Sequence, residues 1–370
     1  MELDWDLVPE MAPTARVAAD PVVRATRRLA ARLLVPQAQR VDVEGIGRAH
    51  VDALVAAGLL GLDAPVGVGG GGRTAPVARE VAELLGGACG TSWFVWTQHT
   101  RPAQVAAGAA GGAAAAWAPR LASGASLAGV AFTHVRRPGP PPVRAVRAPA
   151  DDGWCVDGRV DWCTSWGLAD VVLLAAQTDD AGVVLALVDA RDQPGLTAGE
   201  PLRLAAMGGT RTVALRLDGL HVADDRVVAV TTRERFLAAD AAAVANATPA
   251  LLGLVRAVLA RLRSVGAGRG EAALLAAADR LAVQGGQVRT DAYRLRDEVP
   301  AGEALEERTA VRGEACALAV RASAALVAAV SGRGMALDQP AQRHAREAVF
   351  HLVQAQTAPV RAAQVAALAG

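Results

Sequence analysis

The hydrophobic pattern of this 370-residue chain changes its period twice. Apolar residues recur at helical spacing from residue 14 to about residue 122, as in VVRATRRLAARLLV. Short valine- and leucine-rich runs follow from Ser126, with turn residues between them, and the helical period returns at Arg235. Because helices repeat every 3.6 residues and strands every two, we expect an α+β protein with a sheet between two helical parts.

The same changes predict three domains. An N-terminal helical domain spans residues 1–123, a middle β domain residues 124–234, and a C-terminal helical bundle residues 235–370. Within the β domain, Asp157-Gly158 is a typical hairpin signal. The glycine run GVGGGG at 67–72 is expected to be a plain turn and not a phosphate loop, because no strand precedes it.

Charge and composition exclude several classes of function. All 38 basic residues are arginine, which rules out a Walker A motif, a pyridoxal Schiff base and a Ser-Lys dyad. A net charge of +1 gives no basic surface for nucleic acid or for a membrane. The 4 cysteines are scattered, without a CxxC or a nearby histidine cluster, so no metal site is expected.

The location of the protein is predicted from two further stretches. The start MELDWDLVPE is acidic and unlike a signal peptide. The weakly apolar run VAAGAAGGAAAAW is too short to span a membrane. The protein is therefore expected to be cytoplasmic.

Four motifs, in chain order, resemble those of the acyl-CoA dehydrogenase superfamily over nearly the whole chain. They are GLLGLDAPVGVGGGG, RVDWCTSWGLADVVLLAA, LHVADDRVV and SGRGMALDQPAQRHAREAVFHLVQAQT. The resemblance implies an N-terminal helical domain, a middle β-barrel-like domain, a C-terminal four-helix bundle and a flavin cofactor. It implies that Trp162 and Thr164 line the flavin ring, with Thr164 near its reactive edge, and that Thr357 is a further cofactor contact. Trp166 is expected to be a core residue.

The chain departs from this family where the catalytic base belongs. Most members carry a glutamate in a Glu-Gly-Thr turn that removes the α-proton of an acyl thioester. The matching residues here are Ala355-Gln356-Thr357, and alanine cannot take a proton. The first helix of the C-terminal domain, expected at 241–254, contains no acid, so Asp240 is the one alternative base. Simple α,β-dehydrogenation is therefore not favoured.

The phosphate-binding motifs of the family are also altered. In FTHVRRPGPPPVRAV, Thr133 is retained, while the acid, the serine and the glycine spacing are absent. Arg136 and Arg137 are candidates for a phosphate clamp, because guanidinium groups match phosphate geometry; a solvated proline-rich loop is the alternative. RSVGAGRGE replaces the family's Arg-x-x-Phe-Gly motif. FMN, or a reduced flavin held transiently, is therefore an alternative to tightly bound FAD.

The pocket residues are most similar to a second branch of the superfamily, the flavin-dependent monooxygenases of the dibenzothiophene monooxygenase and nitrososynthase type. These enzymes take reduced flavin from a separate reductase and form a C4a-hydroperoxide with oxygen, which requires hydrogen-bond donors and no carboxylate base. The resemblance points to His99, Thr164 and His351 as those donors. Each histidine has a plain alternative as a hydrogen-bonded core residue.

Further pocket residues follow from the same comparison. Trp96, Gln98, Gln354 and Ala355 are candidate substrate contacts, Gln356 is a further candidate, and His134 is an additional donor near the flavin loop. A helical segment would place His351 on the same face as Gln354 and Ala355. His344 is expected on the surface.

The function predicted from the sequence is a two-component flavin monooxygenase that acts on a hydrophobic small molecule. It would use reduced FMN or FAD from a separate flavin reductase and form a homo-dimer or homo-tetramer. One alternative is an FAD-dependent acyl-thioester dehydrogenase with a relocated base. The other is a flavin-free protein that binds a ligand or catalyses a redox-neutral reaction on the same fold.

Overall fold

The computed structural model describes residues 3–108, 113–150 and 152–370. Its first part is helical, with seven α-helices in the described residues: α1 Ala15–Ala18, α2 Pro21–Leu29, α3 Val35–Glu44, α4 Arg48–Ala56, α5 Ala75–Ala88, α6 Gly90–Ala107 and α7 Ala113–Ser123. The strands that follow are β1 Ala128–Ala131, β2 Val143–Arg147, β3 Gly153–Cys163, β4 Val171–Gln177, β5 Gly182–Asp189, β6 Leu196–Ala198, β7 Val213–Ala223 and β8 Val227–Thr232. The last part is again helical, with α8 Arg233–Val244, α9 Pro249–Arg269, α10 Ala272–Glu298, α11 Leu305–Val330, α12 Pro340–Val353 and α13 Ala358–Ala369. The α+β class is confirmed.

The eight strands form one sheet in the order β6-β7-β3-β2-β4-β5-β8, with β1 parallel to β4. Every residue of β4 is buried, and its sequence VVLLAAQ is apolar almost throughout because both faces of the strand are covered. Strand β3 alternates between buried and more exposed positions and pairs with β7. At the end of β3, some side chains therefore lie in the core and others at the surface.

Helix α9 is the central element of the helical part. Residues Ala250–Leu262 of this helix are all buried, and α5, α10, α11 and α12 pack around it. Where α5 crosses α9, a Cβ on Gly253 would lie 1.9 Å from the carbonyl oxygen of Glu83. The two backbones approach this closely only because glycine has no side chain.

The predicted hairpin at Asp157-Gly158 is wrong. Both residues lie inside the continuous strand β3, where the pairing with β7 shifts register between Val156 and Gly158. Gly158 has φ +133° and packs against Pro142 O, while Asp157 accepts a hydrogen bond from the Gly219 N–H at 2.7 Å. The dipeptide forms a β-bulge, a feature that needs the same permissive glycine as a hairpin turn.

The helix expected at 241–254 is interrupted in the structure. Helix α8 ends at Val244, where the Asn246 side chain bonds back to the carbonyl oxygen of Ala242 at 2.8 Å. Helix α9 then starts at Pro249, with Thr248 as its N-cap. A capping threonine followed by proline is a typical helix start, and this signal overrides the continuous apolar period.

The glycine run 67–72 forms a turn between α4 and α5. The N–H groups of Gly71 and Gly72 bond back to the carbonyl oxygens of Gly61 and Ala64 at 2.8 and 2.9 Å. Its backbone donors are therefore used within the turn, as a plain turn requires.

Two helical stretches, 233–269 and 305–335, are long and apolar enough by length and composition to cross a membrane. Of their most apolar windows, 72% and 50% respectively are buried inside the protein. Core helices of soluble proteins have the same properties, so this feature is weak evidence for a membrane span.

Candidate active site

The end of β3 presents a large aromatic surface. The Trp162 side chain is 52% exposed, although it lies between buried Val160 and buried Cys163. An ion pair between Arg137 and Asp161 joins the turn after β1 to this part of β3. Thr133, in the same turn, is exposed. The residues together form an open, partly apolar face that a flat ring could cover.

Two residues beyond Trp162 the chain turns inward. Thr164 is buried, and its Oγ1 lies 3.0 Å from the Oγ1 of Thr212, which in turn lies 2.9 Å from the Oγ1 of Thr210. Trp166 packs against the core of the sheet, as the sequence predicted. The threonine pair at 210 and 212 was missed, although the alternation Thr-Arg-Thr before a strand places two hydroxyls on one side.

His351, on α12, packs against aromatic rings of α6 and α12. It is buried, with its ring centroid 5.2 Å from that of Trp93 and 5.7 Å from that of Phe350. Neither ring nitrogen has a hydrogen-bond partner within the part of the chain that the structure describes. Burial lowers the pKa of His351 to about 3, so the ring is neutral at pH 7 and carries one N–H donor.

The helical face predicted for His351 with Gln354 and Ala355 does not exist. Helix α12 ends at Val353, Gln354 is extended, and Ala355 has φ +50° in the left-handed region. Gln354 and Ala355 are half-buried, and the Oε1 of Gln354 is buried without a hydrogen-bond partner among the described residues. Ala355, which the resemblance matches to the family's catalytic glutamate, therefore lies on a tight turn between α12 and α13, next to an amide oxygen without a partner among the described residues.

His99 does not have the free donor that the sequence comparison assigned to it. It is completely buried on α6, its Nδ1 accepts the Ala128 N–H at 3.0 Å, and its Nε2 lies 3.0 Å from the carbonyl oxygen of Leu121. Because a carbonyl can only accept, Nε2 carries the proton and both ring nitrogens are used. His99 ties α6 to the end of α7 and the start of β1.

The two arginines of the predicted phosphate clamp are both paired with carboxylates. Arg136 forms a bidentate ion pair with Asp240, with N–O distances of 2.6 and 2.7 Å, and Arg137 binds Asp161. The same contacts remove Asp240 from the role of a free base. Arg136 instead connects the turn after β1 to α8, because its guanidinium fork matches a carboxylate as well as it matches a phosphate.

The surface position predicted for His344 is wrong, since this residue is fully buried in a charged cluster that the sequence analysis missed. Glu347 accepts hydrogen bonds from Arg343 at 2.5 Å and from the Gly90 N–H at 3.1 Å, and pairs with His344 Nδ1 at 3.1 Å. Burial raises the pKa of Glu347, but Arg343 and His344 outweigh it and hold the pKa at about 2. The Arg-His-x-x-Glu spacing on one helix face was the available signal.

The remaining predicted contacts have separate positions. Trp96 donates its indole N–H to the carbonyl oxygen of Leu59 at 2.8 Å, and Gln98 is half-buried on α6. His134 is buried, with Nε2 bonded to the Ala175 carbonyl oxygen at 2.9 Å. Thr357 lines a cavity of about 530 Å³ between α8, α11 and α13. No group of histidine, cysteine and acidic side chains that could hold a metal occurs in the described residues.

A second cavity, of about 400 Å³, lies between α9, α11 and the start of α12. Its lining includes Arg261, Arg269 and Arg333 and, among the described residues, no acidic side chain. It includes part of the segment RSVGAGRGE and the glycine turn before α12. An excess of guanidinium groups in a concave site favours an anionic ligand.

The residues present fit the ring end of a flavin better than its phosphate end. Trp162 offers an exposed indole face, and the buried hydroxyl of Thr164 follows two residues later in the chain. The loop after Arg137 contains Pro138, Pro140, Pro141 and Pro142, which have no N–H groups to offer a phosphate. The arginine-lined cavity is the alternative place for a phosphate.

Comparison with known proteins agrees with the architecture. Residues 19–125 match the family model "Acyl-CoA dehydrogenase, N-terminal domain". A search of curated protein sequences finds no match. The chain thus has the α+β fold of the acyl-CoA dehydrogenases, and its N-terminal part belongs to the acyl-CoA dehydrogenase N-terminal domain family.

Solved structures of two kinds of enzyme are similar to this chain. A glutaryl-CoA dehydrogenase from Mycobacterium smegmatis in complex with FADH2 has 20% identity and a TM-score of 0.79, covering 96% of each chain. Butyryl-CoA dehydrogenase from Megasphaera elsdenii has 18% identity and a TM-score of 0.77, covering 94% of this chain and 96% of the other. Dibenzothiophene monooxygenase from Paenibacillus sp. A11-2 has 18% identity and a TM-score of 0.74, covering 94% and 95%. At these identities the similarity defines the fold and leaves the reaction open.

Proposed function

We propose that this protein is a flavin-dependent monooxygenase that uses reduced flavin to oxygenate a hydrophobic small molecule. The observation that carries the proposal is the state of the carboxylates around the vacated base position. Ala355 stands where a base would be, Asp240 is held in a bidentate ion pair by Arg136, and Glu347 is held by Arg343 in a buried cluster. Among the described residues, these contacts leave none of the candidate carboxylates free to remove an α-proton.

Reduced flavin supplies the electrons that activate molecular oxygen, and the protein supplies donors, shape and exclusion of water. His351 is the proposed donor to the reacting oxygen, because its neutral ring has an uncommitted N–H in a pocket made by Trp93 and Phe350. A donor fixed in a dry pocket stabilises developing negative charge more strongly than water does. His99 has no part in this donor set, because both of its ring nitrogens bond to the backbone.

We assign the flavin ring to the open face of Trp162, Thr133 and Thr164, and its phosphate to the arginine-lined cavity. The exposed Trp162 indole favours stacking with a flat ring, and Thr164 supports a hydrogen bond to the ring edge. Arg333 would neutralise the phosphate together with Arg269, which also lies 3.5 Å from the Glu271 carboxylate in an exposed ion pair. We propose that this cavity serves the flavin of a second subunit in a homo-dimer or homo-tetramer.

The substrate is proposed to lie between α6 and the turn at Gln354. Trp96 contributes ring surface only, because its N–H is bonded to Leu59 O. The unpaired Oε1 of Gln354 favours a substrate that carries an N–H or O–H donor. Gln98 and Gln356 are weaker candidates, since the Gln356 amide N–H groups already bond to Leu352 O and to the Gln364 side chain. We also propose a separate flavin reductase as a partner and a cytoplasmic location.

A flavin-free ligand-binding protein is the second candidate function. It is favoured by one observation, namely that Arg136 and Arg137 are paired with carboxylates and are followed by prolines. The proposed monooxygenase needs the arginine-lined cavity to bind the flavin phosphate in place of that loop, whereas a flavin-free protein needs no phosphate site. Binding of FMN by the purified protein therefore separates the two.

The test is an oxygenation assay under ¹⁸O₂ with FMN, a flavin reductase and NADH, using indole and dibenzothiophene as probe substrates. We choose these probes because one similar structure is dibenzothiophene monooxygenase with FMN and indole bound (18% identity, TM-score 0.74). We expect ¹⁸O in the product, at least tenfold less in His351→Phe, and no change in His221→Gln, whose ring is half-exposed on the sheet. Anaerobic bleaching of bound oxidised flavin by butyryl-CoA would instead establish a dehydrogenase and contradict the proposal.

A further inference from the structure

Three threonine hydroxyls form a continuous hydrogen-bonded chain that ends on a backbone carbonyl. Thr210 Oγ1 lies 2.7 Å from the carbonyl oxygen of Met207, Thr212 Oγ1 lies 2.9 Å from Thr210, and Thr164 Oγ1 lies 3.0 Å from Thr212. All three threonines are at most 5% exposed. Bulk water therefore does not compete for these hydroxyl protons.

The direction of every proton in this chain is fixed by its last member. The carbonyl oxygen of Met207 can only accept a hydrogen bond, so the hydroxyl of Thr210 donates its single proton to Met207. Thr210 must then accept from Thr212, and Thr212 must accept from Thr164. Thr164 has therefore used its only proton within the protein. Toward any ligand it offers lone pairs alone, so the donor role predicted for Thr164 from the sequence is wrong.

The backbone holds the three hydroxyls in place. The Ser165 N–H donates to the Thr210 carbonyl oxygen at 3.0 Å, and the Trp166 N–H donates to the Arg211 carbonyl oxygen at 3.1 Å. Ser165 and Arg211 have φ values of +70° and +52°, a conformation that non-glycine residues adopt only where the surroundings enforce it. A rotation that freed the Thr164 proton would have to give up the bond to Thr212.

We propose that this hydroxyl chain makes the site selective for reduced over oxidised flavin, with Thr164 as an obligate acceptor and Thr210 and Thr212 as positioning residues. The proposal rests on the proposed function, which assigns Thr164 to the edge of the flavin ring. The reactive edge of a reduced isoalloxazine carries an N5–H donor, whereas N5 of the oxidised ring is an acceptor. An acceptor in the protein can bond to the N5–H of the reduced ring, whereas it repels the N5 lone pair of the oxidised ring. Such selectivity suits an enzyme that takes up its flavin already reduced.

The experiment measures the dissociation constants of reduced and oxidised FMN anaerobically in the full-length protein. The wild type is expected to bind reduced FMN more tightly. Thr212→Val removes the group that accepts from Thr164, so the Thr164 proton becomes free for the oxidised ring. We expect the ratio of the oxidised to the reduced dissociation constant to fall about tenfold, the typical worth of one hydrogen bond. For a two-electron couple, tenfold lowers the midpoint potential of the bound flavin by about 30 mV.

Two further variants make the test specific to proton direction. Thr212→Ser keeps the hydroxyl and should leave the ratio within twofold of the wild type. Thr210→Val removes the acceptor for Thr212, so Thr212 can turn its proton toward Thr164 and should lower the ratio in the same direction. It also serves if Thr212→Val does not fold.

The outcomes separate the inference from the proposed function. If the wild type binds reduced FMN and the ratio is unchanged in Thr212→Val or, where that variant does not fold, in Thr210→Val, the hydroxyl chain does not set the selectivity and the inference is overturned. If the wild type binds FMN in neither redox state, the proposed function fails and the inference fails with it.

Discussion

Two histidines of the candidate active site, His99 and His351, are buried to a similar degree but have different hydrogen-bonding roles. His99 accepts the Ala128 N–H and donates to the Leu121 carbonyl, so the two backbone groups depend on it for satisfaction. The side chain of His351 contacts aromatic rings, and among the described residues no backbone group relies on it for a hydrogen bond. Residue type and helical spacing were alike for both, and only the positions of the neighbouring carbonyl and N–H groups distinguish them.

This difference predicts a large loss of stability when His99 is truncated and a small change when His351 is replaced by another aromatic residue. His99→Ala leaves a buried N–H and a buried carbonyl unpaired and should lower the free energy of unfolding by about 3 kcal/mol. His351→Phe keeps the aromatic packing and should change it by less than about 1 kcal/mol. Urea unfolding monitored by tryptophan fluorescence measures both. Equal losses in the two variants would contradict the assignment of His99 as the structural member of the pair.

The buried histidines also predict a loss of stability in mild acid. Burial lowers the pKa of His99 and His134 to about 4 and of His344 and His351 to about 3, against an ordinary value of 6.5. In the unfolded chain they take up protons below pH 6.5, while in the folded protein they do not until about pH 4, so stability falls with pH in this window.

The carboxyl group of Glu83 has the opposite effect on the pH dependence of stability and partly offsets that of the histidines. Burial raises its pKa to about 7, so it takes up a proton in the folded state as the pH falls from 7 to 4.5. The net uptake on unfolding near pH 5.5 is about three protons, which corresponds to about 4 kcal/mol per pH unit. Urea unfolding at pH 7.0, 6.0 and 5.5 should show stability falling more steeply as the pH falls, and approaching this slope near pH 5.5. His99→Gln, which can keep both backbone bonds, should reduce it by about a third, because one of about three net protons is lost. An unchanged slope would contradict the role of His99.

At the scale of secondary-structure elements, the crossing of α5 and α9 sets the geometry of the helical part. A Cβ at Gly253 would lie 1.9 Å from the Glu83 carbonyl oxygen, whereas a Cβ at Gly268, in the same helix, would have no atom within 4 Å. Two glycines of one helix thus differ completely in their surroundings. Their sequence contexts give no hint of this, because a close approach between helices depends on which faces meet.

The two glycines give a matched pair of variants. Gly253→Ala must push α5 and α9 apart and should lower the free energy of unfolding by about 3 kcal/mol. Gly268→Ala should raise it by up to about 1 kcal/mol, because alanine has the higher helix propensity and no clash arises. Thermal and urea unfolding of both variants measure the difference. A Gly253→Ala protein as stable as the wild type would show that the crossing is looser than described.

The elements that the sequence predicted well are those with a long, regular period. Helix α5 lies in the helical region predicted from residue 14 to about residue 122, strand β4 lies among the valine- and leucine-rich runs after Ser126, and helix α11 lies in the helical region predicted from Arg235. The predictions were wrong where a local sequence signal overrode the hydrophobic period. Thr248-Pro249 starts a new helix within an apolar run of helical period, and Asp157-Gly158 forms a bulge within a strand. The sequence also could not predict the pairing of Arg136 with Asp240, because these residues are 104 positions apart.

At the scale of the whole molecule, one fold is shared by enzymes of two chemistries. The similar structures include both dehydrogenases and a monooxygenase. This chain combines the acyl-CoA dehydrogenase fold with an alanine, Ala355, where the resemblance places the base, and with ion pairs on Asp240 and Glu347. The proposed monooxygenase depends on these residues and not on the fold.

The most direct test of this proposal is the reaction of bound reduced flavin with oxygen. The protein is loaded anaerobically with reduced FMN, mixed rapidly with oxygenated buffer and followed by absorbance. The account predicts an absorbing species distinct from both reduced and oxidised FMN, which outlives the oxidation of free reduced FMN by at least tenfold and is shortened in His351→Phe. Oxidation at the rate of free FMN, without such a species, would contradict it.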